Sequence, residues 1–284
     1  MLSGLTLRFD IRRVISRFLC QAQIFIRFIY MRRARGRGVY ADNGYRVSPA
    51  ASQLEPFELR LTSQNGEDGI LAELFKRIGP DYGFFVEIGA GDGVECNCGN
   101  LARRFGWSGL MIEGDEGQYA RLRSTVKKLP RVQTASELVS VDNACELLRR
   151  HGVATELDLL SIDIDGNDYW IWRALSEFRS RVVVIEYNAY YPPPAHCTIK
   201  YNSNHRWDVT TYYGASLAAL EALGDSLGYA LVGTESRGIN AFFVRNDLLI
   251  KSGFSRLSAA DAYRPPGFGL LASYPYRAGD WLEV

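Results

Sequence analysis

The residues best suited to chemistry begin in FFVEIGAGDG (residues 84–93), where an apolar run ends in an acid and glycines follow at alternate positions. Glycine reaches backbone angles that other residues avoid, and it lets a ligand lie close to the main chain. The acids Glu87 and Asp92 would repel an anionic pyrophosphate, whereas they would attract a cationic ligand. The spacing G-x-G-x-G also differs from the G-x-G-x-x-G of dinucleotide-binding loops. The loop therefore favours S-adenosyl-L-methionine, which carries a sulfonium and an ammonium group. The residues predicted to bind this cofactor are Glu87, Gly89, Ala90, Gly91, Asp92 and Gly93.

A second apolar run, GLMIEGD, also ends in acids and places Glu113 twenty residues after Gly93. An acid at the end of the second strand of such folds accepts hydrogen bonds from both ribose hydroxyls. This role is the same for S-adenosylmethionine and for a nicotinamide dinucleotide, so Glu113 supports an adenosine ligand without choosing between them. We assign Asp115, at the end of the same run, to the cofactor site as well.

Three aspartates follow the fourth predicted strand in the segment SIDIDGNDYW. Asp163, Asp165 and Asp168 would lie close together, and neighbouring carboxylates repel one another unless a cation or a proton neutralises them. Magnesium, which prefers oxygen ligands, would suit such a cluster. The alternative is that Asp163 faces the cofactor while Asp168 caps the next helix, whose N-terminus favours an acid. We favour this alternative, which assigns Asp163 to cofactor binding and predicts no metal site.

A long aromatic loop follows the fifth predicted strand, which ends at Glu186. The loop contains six tyrosines, Trp207 and two histidines, His196 and His205. Long loops at the ligand-binding edge of a sheet are usually functional, and aromatic rings offer flat faces to sugars and other ring-shaped substrates. A lid that packs over the site without taking part in the chemistry is the alternative.

The elements that must position these residues alternate between strand and helix patterns from residue 60 onward. Continuous apolar strands separated by helices are typical of a parallel sheet that is covered on both faces. We predict a Rossmann-like α/β fold with seven strands. The last two strands, YALVGTE and NAFFVRN, are joined only by SRGI, which is too short for a parallel crossover. They are therefore predicted to form an antiparallel hairpin at the C-terminal end of the sheet.

The net charge of +1 is unevenly distributed along the 284 residues. Residues 1–38 contain nine arginines and one acid, a charge of +8, which leaves −7 for the rest of the chain. The acidic remainder argues against nucleic-acid binding. The five cysteines form no disulfide-like pattern, which favours a reducing, cytoplasmic location.

Residues 1–40 are predicted to form a basic amphipathic helix. Their apolar runs are too short for a membrane-spanning helix, which needs about 18 residues. Such a helix can lie on an anionic membrane surface, so residues 1–38 are predicted to make peripheral contact with the inner surface. The alternatives are docking on the protein's own body or on a second subunit, and an organelle-targeting peptide, which is also rich in arginine and poor in acids but usually contains more serine. The remaining predicted boundaries are a linker at 41–58, the main domain at 59–250 and a C-terminal tail, packed on that domain, at 251–284.

The segments VEIGAGDG, GLMIEGD and LLSIDIDGNDYW together resemble the FkbM-type methyltransferases, which use S-adenosylmethionine and have the class I fold. The resemblance covers about residues 60–246, and the family often has a glutamate-glycine pair where this chain has Asp165-Gly166. It implies O-methylation of a small-molecule or glycan hydroxyl. A general base would help to remove the proton of that hydroxyl, and the candidates are Asp165, Glu186 and His196. The alternatives are an NAD-type oxidoreductase, which the glycine spacing disfavours, and a non-catalytic scaffold at a membrane surface.

Overall fold

The computed structural model describes residues 47–267 and 274–284. The predicted amphipathic helix at residues 1–40, with its membrane contact, lies outside these residues. Within the described ranges, no helix combines the length and the apolar composition that are needed to cross a bilayer.

The described chain has nine strands, of which seven form a central sheet and two form a separate pair. The strands, numbered in chain order, are β1 (Phe84–Ile88), β2 (Ser108–Glu113), β3 (Val132–Ser136), β4 (Glu156–Ile162), β5 (Arg179–Glu186), β6 (Cys197–Ile199), β7 (Tyr229–Thr234), β8 (Asn240–Arg245) and β9 (Trp281–Glu283). The main sheet has the order β3-β2-β1-β4-β5-β8-β7. Strands β1 to β5 are parallel, and β8 pairs antiparallel with both β5 and β7. The predicted fold, a mostly parallel seven-stranded sheet with an antiparallel C-terminal hairpin, is confirmed.

Helices connect and cover the strands. In chain order they are α1 (Glu67–Ile78), α2 (Gly99–Arg104), α3 (Glu116–Val126), α4 (Ala144–Arg150), α5 (Asp168–Ala174), α6 (Leu217–Ser226), α7 (Leu249–Ser252) and α8 (Ala259–Ala262). Because β1 pairs with both β2 and β4, the strand order reverses at β1. Open α/β sheets bind their ligands in the crevice beyond the carboxyl ends of the strands at such a reversal.

The core lies on both faces of the sheet. On one face, Phe85 and Leu159 belong to a buried apolar cluster that also contains Leu71 and Leu74 of α1. On the other face, Trp172 of α5 packs on Phe243 of β8, with 4.8 Å between ring centroids. Complete burial of a large apolar side chain stabilises the fold by about 1.5–3 kcal/mol. These layers hold the strand ends, and therefore the residues beyond them, in fixed positions.

Two parts of the described chain differ from the predicted organisation. The predicted linker 41–58 contains two 3₁₀ turns, Pro49–Ser52 and Glu55–Phe57, with a fully buried Leu54 between them. The packed body therefore begins upstream of residue 59. Strands β6 and β9 form a separate antiparallel pair. That pair was not predicted, because strands of three residues are too short to show a period.

Helix α1 begins at Glu67, directly after Gly66. The Asp68 carboxylate accepts hydrogen bonds from the backbone N–H groups of Thr62 and Ser63, at 2.6 and 2.7 Å. In return, the Ser63 hydroxyl accepts a hydrogen bond from the Asp68 N–H at 3.1 Å. These bonds fold the preceding segment back on the helix, and Gln64 lines the cavity described below.

Candidate active site

A cavity of about 960 Å³ lies at the carboxyl edge of the main sheet. Its volume is at the upper end of the range for small-molecule sites, about 300–1,000 Å³. Nine of the lining residues are acids, and Arg206 is the only lysine or arginine among the described residues that line it. The acids are Glu87, Glu95, Glu113, Asp115, Glu116, Glu137, Asp163, Asp165 and Glu186. This excess of negative charge favours a cationic ligand.

The three glycines of the loop after β1 serve different purposes. A Cβ atom on Gly89, whose φ is +85°, would lie 1.7 Å from the Asp163 carbonyl oxygen. A Cβ on Gly93 would lie 2.6 Å from a methyl carbon of Leu122, so this glycine permits close packing of α3. By contrast, a Cβ on Gly91 would meet no atom within 4 Å. The space beside Gly91 is therefore open to a ligand.

Three predicted cofactor residues of this loop, Ala90, Asp92 and Gly93, do not belong to the cavity lining. Ala90 is 1% exposed and packs in the core. The Asp92 carboxylate accepts a hydrogen bond from the Val94 N–H at 2.9 Å, within its own loop. Gly89 and Gly91 do line the cavity, and of these two only Gly91 has open space beside its main chain.

Glu87, at the end of β1, ties the glycine loop to the following helix. Its carboxylate accepts hydrogen bonds from the N–H groups of Asn97 and Cys98, at 2.7 and 3.2 Å. Burial raises the pKa of Glu87 from its ordinary 4.5 to about 7, although the two N–H donors act in the opposite direction. Glu87 thus lines the cavity and also holds the chain directly before α2.

Glu113, at the end of β2, joins two turns that border the cavity. Its carboxylate accepts hydrogen bonds from the N–H groups of Gly91 and Asp115, both at 2.8 Å. Asp115 lines the cavity and also caps α3, because its carboxylate accepts a hydrogen bond from the Gln118 N–H at 2.8 Å. Glu113, which the sequence predicted to bind the ribose, therefore lies beside the open space at Gly91.

The acids after β4 and β5 form a cluster that differs from the one suggested by the sequence. Carboxylate oxygens of Asp163, Asp165 and Glu186 all lie within 4.8 Å of one another. Asp168 is not among them, because its buried carboxylate accepts hydrogen bonds from the N–H groups of Ile164 and Gly166, at 2.9 and 2.8 Å. Those N–H groups precede α5, so Asp168 holds the loop before the helix instead of capping the helix itself.

Burial and mutual repulsion shift the titration of this cluster. Burial, followed by the charge of Asp165, raises the pKa of Asp163 well above its ordinary range. The pKa of Asp165 rises to about 6 from the same causes, burial first and then the charges of Asp168 and Glu113. The pKa of Glu186 is also raised well above its ordinary range, by burial and by the neighbouring aspartates. The three carboxylates therefore disfavour being ionised together.

The two histidines of the aromatic loop occupy different places. His196, a predicted general base, does not line the cavity. His196 directly precedes β6, and its carbonyl accepts a hydrogen bond from the Val284 N–H at 3.3 Å. The pairing of β6 with β9 therefore holds His196 outside the cavity lining. His205 lines the cavity instead, and a Cβ on Gly166 would lie 2.3 Å from its ring. Burial lowers the pKa of His205, which favours the neutral imidazole at pH 7.

Tyr274 and Asn240 are lining residues that the sequence reasoning missed, whereas Trp207 belongs to the aromatic loop that the sequence singled out. Trp207 and Tyr274 line the cavity with their rings edge to face, 4.7 Å between centroids. Tyr274 comes from the C-terminal tail, and no local pattern links it to the other residues. Asn240, by contrast, could have been found, because an antiparallel β8 beside β5 places its first residue opposite Glu186.

The raised pKa of Glu87 predicts a pH-dependent stability. Because the folded chain keeps this proton to higher pH than the unfolded chain, the folded state binds more protons between pH 4.5 and about 7. The free energy of unfolding should therefore fall as the pH rises through this window. Glu87→Gln should remove up to about 1.4 kcal/mol per pH unit from that slope.

The measurement is denaturant unfolding from pH 4.5 to 7.5 for the wild-type chain, Glu87→Gln and Glu146→Gln. Glu146 is exposed on α4 and outside the cavity lining, so its variant controls for the loss of one charge. Equal slopes for Glu87→Gln and the wild type would contradict the assignment.

Comparisons with known proteins found matches among solved structures. No family model matches the chain, and no curated protein matches it. Among solved structures, the N-terminal domain of EvdMO1 with SAH bound has 14% identity and a TM-score of 0.43, covering 68% of this chain and 92% of that one. An S-adenosylmethionine-dependent methyltransferase from Clostridium acetobutylicum ATCC 824 has 8% identity and a TM-score of 0.42, covering 64% of this chain and 92% of that one. Another from Aquifex aeolicus has 12% identity and a TM-score of 0.37, with coverages of 70% and 93%. These values are too low to transfer an activity to this chain.

Proposed function

We propose that this chain is an S-adenosylmethionine-dependent methyltransferase that methylates a hydroxyl group of a small molecule or glycan. We further propose that it belongs to the FkbM-type family that its motifs resemble. The observation that carries the proposal is the acidic cavity beside the open main chain at Gly91, where the strand order reverses. A pyrophosphate-containing cofactor would place its anion among these carboxylates, whereas a sulfonium and an ammonium group would be attracted to them.

The residues around Gly91 fit the cofactor. The open space beside this glycine admits a nucleoside against the main chain. The Glu113 carboxylate stands at the same place and can exchange its bonds to backbone N–H groups for bonds from two ribose hydroxyls. Glu87 of β1 and Asp163, directly after β4, also line the cavity and would face the cationic methionine end. When bound, S-adenosylmethionine supplies an electrophilic methyl group.

The other wall of the cavity suits the acceptor. The rings of Trp207 and Tyr274 offer apolar faces next to the polar groups of His205 and the acid cluster. An acceptor lying on these rings would direct a hydroxyl towards Asp165 and Glu186. Alignment of that hydroxyl with the methyl group should dominate the rate. Its proton passes to Asp165, Glu186 or His205, each of which lines the cavity.

The location and the N-terminal segment remain part of the same proposal. We propose that the chain works in the cytoplasm and that residues 1–38, with nine arginines and one acid, bring it to the inner membrane surface. Nothing about the acceptor's identity follows from this placement.

The test is methyl transfer by the full chain from S-adenosylmethionine with an isotopically labelled methyl group. Sugars, glycans and small alcohols are offered together, and products are analysed by mass spectrometry. We expect labelled methyl ethers and a Trp207→Ala variant with a KM for the acceptor about five- to tenfold higher, since an aromatic contact contributes about 0.5–1.5 kcal/mol beyond burial. The affinity for S-adenosylhomocysteine (SAH) should stay unchanged in this variant. Binding of SAH without transfer to any hydroxyl would favour the non-catalytic scaffold.

A further inference from the structure

We propose that Asp163, Asp165 and Glu186 form, together with Asn240, a binding site for one divalent cation that prefers oxygen ligands, such as Mg²⁺, Mn²⁺ or Ca²⁺. The three carboxylates come from the ends of two neighbouring parallel strands, β4 and β5, and Asn240 comes from the start of β8. The sequence alone favoured no metal here, because it assigned Asp163 to the cofactor and Asp168 to the cap of the next helix. In the structure, Glu186 instead of Asp168 lies beside Asp163 and Asp165. This different third carboxylate is the reason to propose a cation site.

The spacing of the carboxylate oxygens fits a cation. The ligand atoms of Asp163, Asp165 and Glu186 lie within 4.8 Å of one another. Opposite oxygen ligands are separated by about 4.8 Å around Ca²⁺ and about 4.2 Å around Mg²⁺, from metal–oxygen distances of about 2.4 and 2.1 Å. No two of these oxygens are farther apart than opposite ligands of Ca²⁺, so side-chain adjustments that bring the three oxygens around one centre would place them within reach of a single divalent cation.

The charge of the cluster is not balanced by the part of the chain that the structure describes. None of the ion pairs there includes Asp163, Asp165 or Glu186. Moreover, one buried oxygen of Glu186, Oε2, lacks a hydrogen-bond donor, although the residue is only 7% exposed. A buried carboxylate oxygen without a donor is costly, and a cation would remove that cost.

An independent observation comes from Asn240, which is not an acid. This residue is 3% exposed, lines the cavity and pairs with Glu186 across β5 and β8. Its Nδ2 donates a hydrogen bond to Oε1 of Glu67 at 2.8 Å. A carboxylate only accepts hydrogen bonds, so Glu67 fixes the amide with its oxygen directed away from Glu67. That oxygen, Oδ1, has no hydrogen-bond partner.

Asn240 and Glu186 therefore present two buried oxygens without donors at adjacent positions of neighbouring strands. Amide and carboxylate oxygens are the ligands that hard divalent cations prefer. A proton shared among the carboxylates would reduce their repulsion, but one proton leaves fewer oxygens satisfied than one cation does. The chemistry of the whole donor set, three carboxylates and one amide oxygen, thus points to a cation of this class. With the cation bound, Asp165 and Glu186 are its ligands, and His205 is the candidate base of the proposed methyl transfer that stays available.

The experiment is calorimetric titration of the full chain, freed of metal with a chelator, with MgCl₂, MnCl₂ and CaCl₂. We expect one saturable site for at least one of these ions, and at least tenfold weaker binding in Glu186→Gln and in Asn240→Leu. The control is Glu95→Gln, an exposed acid that lines the same cavity outside the cluster and should leave the affinity unchanged. Thermal unfolding of each variant shows that it is folded.

Absence of binding by the folded wild-type chain up to about 10 mM, above the range of weak protein Ca²⁺ sites, would overturn the proposal. Equal affinities of the wild type, Glu186→Gln and Asn240→Leu would overturn it as well. Because no cofactor or acceptor is present, this titration is independent of the methyltransferase proposal. Metal binding by a chain that does not bind SAH would support the cation site and contradict the proposed function.

Discussion

Gly89→Ala is expected to destabilise the fold strongly and to abolish SAH binding. The new Cβ would lie 1.7 Å from the carbonyl oxygen of Asp163, a backbone atom that cannot move without displacing β4. The φ angle of +85° adds the strain that any L side chain has in this region. Together these effects should lower the free energy of unfolding by about 3–5 kcal/mol. Denaturant unfolding and SAH calorimetry measure the two consequences.

The matched control is Gly91→Ala, two residues along the same loop. Gly91 also has a positive φ, +55°, but its Cβ would meet no atom within 4 Å. We expect this variant to lose about 1–2 kcal/mol, the cost of the left-handed conformation alone. It should still fold, while binding SAH more weakly because the methyl group would occupy the space assigned to the cofactor. Equal stabilities of the two variants would contradict the assigned geometry of the loop.

Glu113→Ala should weaken SAH binding by at least about tenfold, because hydrogen bonds to a charged acceptor contribute about 1.5–3 kcal/mol each. The variant also releases the N–H groups of Gly91 and Asp115 from the bonds that hold the loop and the start of α3. A smaller loss is expected for Glu113→Gln, which keeps one oxygen acceptor. Calorimetry with SAH measures the affinities.

The control for this prediction is Glu116→Ala. Glu116 is an exposed acid that lines the same cavity three residues later. Its removal changes the charge of the cavity by the same amount and should alter SAH affinity less than twofold to threefold, because exposed charges interact weakly. If Glu113→Ala and Glu116→Ala bind SAH equally well, Glu113 does not hold the ribose.

Much of the fold was predictable because its determinants are local in the sequence. The apolar runs ending at Glu87, Glu113 and Glu186 mark buried parallel strands, and their carboxyl ends meet at one edge of the sheet. The short connection SRGI required an antiparallel hairpin. That hairpin inserts β8 beside β5. The location of an acidic site therefore followed from strand ends and chain direction alone.

The direction of individual side chains was not predictable from these patterns. Asp165 and Asp168 lie three residues apart, yet one lines the cavity and the other is bound by N–H groups of its own loop. The difference arises from loop geometry, including the positive φ of Asp165, +53°, which no periodicity encodes. His196 and His205 also differ, since only His205 lines the cavity. The cause is the pairing of β6, which directly follows His196, with a strand more than eighty residues later.

The central claim is that the acidic cavity beside Gly91 binds a cationic adenosine cofactor, and calorimetry of the full chain with S-adenosylmethionine, SAH and NAD⁺ tests it most directly. We predict a single saturable site for S-adenosylmethionine and SAH, at which the two compete, and no measurable binding of NAD⁺. Binding of NAD⁺, or no binding of either adenosylated ligand by the folded chain, would contradict the account.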